Sequence, residues 1–285
     1  MVPPRRNLHR RRLLALLALA LAALLLLAGP AAANVLTPES GGSKNADEID
    51  SLFKIVLIIA LVVFVGVEGT LLYTIVRFRR SKNAVPAQIR GNTRLEIGWT
   101  VGASVIIAFL IVVSFIKLDS IKDPPATGPG GLQRADGALY AVVNQPPPPG
   151  GGGLQIAVNG QQYLWRFTYP NGVFSYETMV VPVNTTVILK IRAQDVIHSW
   201  WIPKLGGKFD AVPGYTNETW FKVLKPGVFE GQCAELCGRG HANMLARVRA
   251  VPVPVYRAWL LRQGRDIQAQ RSFSAAARSR LQPSN

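Results

Sequence analysis

"LQIAVNGQQYLWRFTYPNGVFSYETMVVPVNTTVILKIR", residues 154–192, holds four short runs rich in β-branched and aromatic residues: 154–160, 162–169, 173–181 and 185–192. The turn-forming pieces "YPNG" (169–172) and "PVN" (182–184) punctuate them. Short apolar runs between such turns predict strands rather than helices. The pattern resumes in "ETWFKV" (218–223), "GVFEG" (227–231) and "LARVRAV" (245–251), with "KPG" (225–227) as a further turn. Together they predict an all-β sandwich or barrel over residues 154–253. About 100 residues suffice for one such core. Beyond it, "PVYRAWLLRQGRDIQAQ" (254–270) has the look of one amphipathic helix, and the rest of 254–285 is expected to be disordered.

On the N-terminal side the character changes. Residues 121–153 contain "DPPATGPGG" and "NQPPPPGGGG", a density of proline and glycine that suits a linker. Within it, "ALYAVVN" (138–144) reads as a short strand. Before the linker stand two long apolar runs, about 52–76 and 97–118, inside a segment 51–120. Each is long enough to cross a hydrocarbon layer of roughly 30 Å as a helix. Six basic residues and no acid lie from Arg77 to Arg94. The positive-inside rule places that loop in the cytoplasm, so both outer ends of the hairpin, residues 34–50 and everything after about Lys117, face the other side. Glu68 lies within the first run, where an ionisable residue usually faces protein or water.

A third apolar run, "LLALLALALAALLLLAG" (13–29), follows five arginines and ends in "PAAAN". That is the plan of a secretory signal, residues 1–33, cut near Ala33; an uncleaved anchor is the alternative. Both clusters of basic residues flank apolar runs, as membrane topology demands, and no nucleic-acid role is expected.

Downstream of the signal, the chain has only two histidines, two cysteines and two methionines. Both histidines and both cysteines fall in "DVIHSWWIP" (195–203) and "GQCAELCGRGHANM" (231–244). A disulfide between Cys233 and Cys237 would leave His198, His241 and Met244 unexplained. Structural zinc could use two thiolates and two imidazoles, but has no use for a thioether. Copper suits thiolate, thioether and imidazole together. A mononuclear copper site needs one cysteine, whereas two cysteines four residues apart can bring both sulfurs to one locus.

"DVIHSWWIPKLGGKFDAVPGYTNETW" (195–220), continuing into "GQCAELCGRGHANM", resembles subunit 2 of cytochrome c oxidase, and the resemblance covers roughly residues 45–265. It implies a two-helix transmembrane hairpin followed by an all-β cupredoxin-like sandwich carrying a dinuclear copper centre, CuA. Cys233 and Cys237 match the bridging thiolates. His198 and Met244 match the terminal ligands of one copper, and His241 and the carbonyl of Glu235 those of the other. The Glu235 carboxylate matches a magnesium or manganese ligand shared with subunit 1. Glu96, in "RLEIGW" (94–99), matches the mouth of a proton-uptake path, though an acid in the first turn of a helix is also favoured by the helix dipole.

The implied function is electron acceptance from cytochrome c and delivery to haem in subunit 1 of a proton-pumping oxidase that reduces oxygen. The implied setting is a bacterial plasma membrane, with subunit 3 as a further partner. Trp165, in "GQQYLWRFTY" (160–169), matches an aromatic cluster beneath the copper loops. Where many members present a surface tryptophan to the donor, this chain has Tyr163. From Lys122 onward there are 18 basic and nine acidic residues, a balance that suits an acidic or membrane-anchored donor. A quinol oxidase subunit would lack the intact ligand set. A copper-binding electron-transfer or metal-delivery protein outside an oxidase complex is the remaining alternative. No C-x-x-C-H haem attachment motif is present, so the donor is a separate protein.

Overall fold

The computed structural model describes residues 37–79, 88–128, 131–132 and 153–281. The signal segment, the centre of the basic loop and the strand expected at 138–144 lie outside these residues. The chain up to Pro38 is a unit of its own, and all elements below belong to the second unit, Glu39–Asn285.

Two helices come first, α1 Lys44–Arg77 and α2 Thr93–Lys122. Their apolar windows have mean hydropathies of 2.7 and 2.5 and bury nothing against the rest of the chain. A helix that is apolar all round and unburied needs a lipid or protein surround. The chain is a membrane protein on this evidence and on the family matches given below. Helix α2 starts with a reciprocal pair of caps: the Asn92 side chain accepts from the Leu95 backbone N–H at 3.2 Å, and Glu96 accepts from that of Asn92 at 3.3 Å.

Ten strands follow: β1 Leu154–Gln161, β2 Leu164–Thr168, β3 Phe174–Tyr176, β4 Thr178–Pro182, β5 Thr186–Ala193, β6 His198–Trp201, β7 Phe209–Ala211, β8 Asn217–Lys222, β9 Gly227–Cys233 and β10 Leu245–Val251. They form two five-stranded sheets, ordered β3-β2-β1-β5-β8 and β4-β10-β9-β6-β7. The β1/β5 and β4/β10 pairs are parallel. The fold is therefore a two-helix membrane hairpin followed by a cupredoxin-like sandwich. Its core lies between the sheets, with Trp165, Phe167 and Leu189 of one against Met179, Trp200 and Val248 of the other. Trp200 stacks on Phe221 across this core, ring centroids 6.3 Å apart.

Three local readings of the sequence are corrected here. The run 173–181 is two strands, because Glu177 (φ 56°) turns the chain from one sheet to the other. Glutamate carries no turn signature, so the break is invisible in the sequence. Helix α1 begins at Lys44, inside the segment expected to precede the hairpin, because its polar first turns dock on the sandwich. Asn45 donates to the Trp220 carbonyl at 2.7 Å, and the Ser43 hydroxyl accepts the Lys222 N–H at 3.0 Å. The Trp220 indole in turn donates to the Ile121 carbonyl at 3.0 Å, which ties the end of α2 to the same edge strand. Finally, helix α3, Val253–Leu281, runs well past Gln270, where disorder was expected. Its first turns are anchored by buried Tyr256 and Leu260 beside Tyr169. The Tyr169 hydroxyl is satisfied twice by Val180, and burial pushes its pKa far up.

Candidate metal centre

Three pieces of chain meet at one end of the sandwich. The first is the start of β6, which carries His198. The second is the end of β9 with the loop after it, which carries Cys233, Glu235 and Cys237. The third is a single 3-10 turn, His241–Asn243, followed by Met244. Backbone hydrogen bonds lock the pieces together: Cys233 N–H to the Met244 carbonyl at 2.9 Å, and Ala234 N–H to the Ser199 carbonyl at 2.9 Å. The turn closes on itself through His241 N–H to the Gly238 carbonyl at 3.1 Å.

Both cysteines are free thiols, and their sulfurs lie 3.9 Å apart. Four further donors surround them. His198 Nδ1 is 4.0 Å from Cys233 Sγ, and the Glu235 carbonyl is 3.2 Å from the same sulfur. His241 Nδ1 is 3.7 Å from Cys237 Sγ, and Met244 Sδ is 4.0 Å from it. His198, Cys233, Cys237 and Met244 are all at most 3% exposed. Thus the structure brings together all six residues singled out from the sequence. Met179, the other candidate thioether, is core packing on β4.

The donor chemistry fits a soft metal, and the layout argues against a single tetrahedral ion. Among the histidine, cysteine and carboxylate side chains of the described residues, His198, Cys233 and Cys237 form a group whose ligand atoms lie within 4.8 Å of one another. His241 stands outside that group, against Cys237. A structural zinc site needs its fourth ligand at the same locus. Here two donors stand beside Cys233 and two beside Cys237.

Supporting groups orient the donors. Asp195 sits 2.9 Å from His198 Nε2, which fixes the proton there and leaves Nδ1 facing the sulfurs. Burial works against the Asp195 charge. Hydrogen bonds from His198 and from the backbone N–H groups of Gln162 and Val196 outweigh it and hold the carboxyl below its usual value. Burial pushes the Cys237 thiol up to about 11, and Cys233 beside it adds to the effect. Asp195 was not singled out from the sequence; the signal available was a carboxylate three residues before the ligand histidine.

Around this end, Gln162 donates to the Cys237 carbonyl at 2.7 Å. The Tyr163 ring lies so close to Gly240 that no side chain fits there, and its hydroxyl is 2.7 Å from where a Cβ on Gly238 would stand. Gly238 also has φ +125°, a second reason for glycine. Trp165 packs edge-on to His198, centroids 5.9 Å apart, and is fully buried. Of the two aromatic residues considered for electron transfer, Tyr163 alone reaches the surface, at 37% exposed.

Two family models match the sequence: the periplasmic domain of cytochrome c oxidase subunit II over residues 172–251, and its transmembrane domain over residues 32–117. A cytochrome c oxidase subunit 2 of Cereibacter sphaeroides is 34% identical over 246 residues, covering 78% of this chain and 80% of that protein. The chain belongs to the cytochrome c oxidase subunit 2 family. A further member, from Alkalihalophilus pseudofirmus, is 35% identical over 218 residues; the match covers 74% of this chain and 57% of that protein's length. Among solved structures, the periplasmic domain of subunit II of cytochrome oxidase from Bradyrhizobium japonicum is 35% identical with a TM-score of 0.39, covering 40% of this chain and 94% of that one. Among the described residues, Cys233, Cys237 and His198 form a cluster equipped to hold a soft metal.

Proposed function

We propose that the chain holds a dinuclear copper centre, CuA, and through it takes electrons from a cytochrome c and passes them to haem in subunit 1 of a proton-pumping terminal oxidase. The supporting observation is the disposition of four donors about two thiols 3.9 Å apart. His198 and Met244 would complete one copper, and His241 and the Glu235 carbonyl the other. In each pair one donor stands beside Cys233 and one beside Cys237. Both thiolates are therefore available to both metals. Copper bound here supplies a one-electron carrier whose charge is spread over two metals and two sulfurs.

The chain's own residues make that carrier fast. Their burial keeps water from the sulfurs, and the hydrogen-bonded loops resist rearrangement. Asp195 holds His198 in the ligating tautomer. A metal-delivery role is disfavoured by the same burial, since a donating site needs an accessible metal.

Further assignments rest on the match to the family. The hairpin crosses a bacterial plasma membrane twice, with the basic loop in the cytoplasm and the sandwich outside. Glu96, exposed in the first turn of α2, lies at the cytoplasmic side as the mouth of a proton path requires. Glu235, whose carbonyl faces Cys233, offers its carboxylate to a magnesium or manganese ion shared with subunit 1. Subunit 3 is a further expected partner. Tyr163 is where electrons arrive, with Trp165 beneath the histidine.

The test is metal content and electron paramagnetic resonance of the full chain in detergent, supplied with copper. About two copper ions per chain, a purple colour and hyperfine splitting from one electron shared by two nuclei are expected. One localised copper, or preference for zinc, would remove the electron-accepting role.

Two quantitative outcomes follow from the supporting groups. Asp195→Ala should weaken copper binding about 10–100-fold, read by competition with a chelator. Unchanged affinity would show that packing alone orients His198. Binding should also depend on pH. Both thiols must lose their protons to ligate, and Cys237 is raised to about 11, so acid opposes loading. Displacing the Cys237 proton alone makes apparent affinity rise about tenfold from pH 7 to pH 8. A flat response in competition titrations would mean that the thiolates are already formed.

A further inference from the structure

Helix α3 outruns the domain to which it is anchored. Its packed face is the stripe Tyr256, Leu260 and Ile267, with Gln263 donating to the Phe174 carbonyl at 3.1 Å. These positions recur every three, four or seven residues, so they share one side of the helix. Carried past Ile267 at the same spacing, the stripe reads Arg271, Ser274 and Arg278. The side that is apolar on the sandwich is thus basic beyond it. Residues 268–276 are all exposed, as is Arg278. Neither Arg271 nor Arg278 is in an ion pair among the described residues.

The charge of this helix is one-sided. Arg257, Arg262, Arg265, Arg271, Arg278 and Arg280 stand against a single acid, Asp266, and no acid follows it to the end of the chain. Basic residues in a last turn are favoured by the helix dipole, but that effect fades within one turn. It does not reach Arg271, well before the helix end at Leu281. Residues 268–281 make about 21 Å of helix. That length is marginal in water unless something packs against it.

The start of α3 also stands near the membrane hairpin. The chain runs from Lys122, the end of α2, to Gly128 in a span of at most about 21 Å. The Gly128 N–H binds the Asn184 carbonyl at 2.9 Å, and the neighbouring Val183 N–H binds the carbonyl of Val251 at 2.9 Å, just before α3 begins. The whole helix is about 43 Å long, so the bilayer that the hairpin requires lies within its reach.

We infer that the distal half of α3 rests on the anionic headgroups of that bilayer, through the face that carries Arg271 and Arg278. Lipid phosphate accepts the paired N–H donors of arginine. Binding by charge alone needs no apolar face, and the stripe has none past Ile267. Held there, the arm ties the sandwich to the membrane at a point separate from the hairpin. The inference is independent of the metal-centre reading.

The experiment uses the full chain in lipid nanodiscs, made either of phosphatidylcholine alone or of its mixture with phosphatidylglycerol. Amide hydrogen exchange of peptides covering 268–281 is followed by mass spectrometry, with strand β5 as the internal standard for an intact fold. At low salt, exchange of the arm is expected to be about tenfold or more slower in the anionic discs. Raising ionic strength from about 0.01 M to about 1 M shortens the screening length from about 30 Å to about 3 Å and should abolish the difference. The double variant Arg271→Glu with Arg278→Glu should abolish it at low salt, with β5 unchanged. Equal exchange in the two lipids at low salt overturns the inference. So does slowing that ignores lipid charge and appears only in the assembled oxidase complex, which would assign the arm to an acidic protein face instead.

Discussion

Replacing Cys237 by serine is expected to leave a folded chain that no longer forms the two-metal centre. Cys237 Sγ is the hub of the cluster: Cys233 Sγ lies 3.9 Å away, His241 Nδ1 3.7 Å and Met244 Sδ 4.0 Å. A serine hydroxyl is a hard donor that stays protonated, so it cannot bridge soft metals. The expected protein holds about one copper, with its electron localised on a single nucleus. Electron acceptance by the oxidase complex should fall more than about 100-fold, beyond what the loss of a supporting partner costs. Circular dichroism should be unchanged, because the loop is closed by backbone hydrogen bonds that do not involve the sulfur. A variant with full copper and an unaltered paramagnetic spectrum would show that Cys237 is not a bridge.

Gly231→Ala is expected to cost about 3 kcal/mol, the upper end for overpacking, although it touches no ligand. A Cβ at Gly231 would run into the Trp201 carbonyl and stand 2.8 Å from Ile202 Cα. Both obstacles are backbone, so no side chain can swing aside. Strand β6 would have to move away from β9, where Trp200 is in register with Cys233. That shift separates His198 from the thiols, so copper retention should fall together with stability. Thermal unfolding of the metal-free chain in detergent measures the first effect, and metal content after dialysis the second. Gly227→Ala serves as the control, because its Cβ would find ordinary contact with Phe229 at 3.6 Å. Equal stability of the two variants would show that β6 and β9 can separate at little cost.

Much of this molecule is legible along the chain. The hairpin is announced by two uninterrupted apolar runs, since a hydrocarbon layer leaves a single chain few options other than helix. Five of the six candidate donors are legible because soft ligands are rare here and sit in two short segments; Glu235 is reached only through the family resemblance. Less visible are the contacts that hold those segments. Asp195 matters through its distance to His198 Nε2, and Gly231 through the approach of a strand thirty residues earlier in the chain. Helix α3 reads as disorder past Gln270 because its later residues lack a continuous apolar stripe.

Periodicity, apolar length and the cysteine–histidine–methionine spacing are local properties, and they determined the hairpin, the β-rich outer domain and the candidate donors. Which sulfur each donor faces, the corner at Glu177, the docking of α1 on β8 and the surfacing of Tyr163 while Trp165 is buried were decided by the tertiary structure alone. The physical reason is that these depend on two sheets closing over one core, a condition that joins residues far apart in sequence and leaves no period or motif at either one.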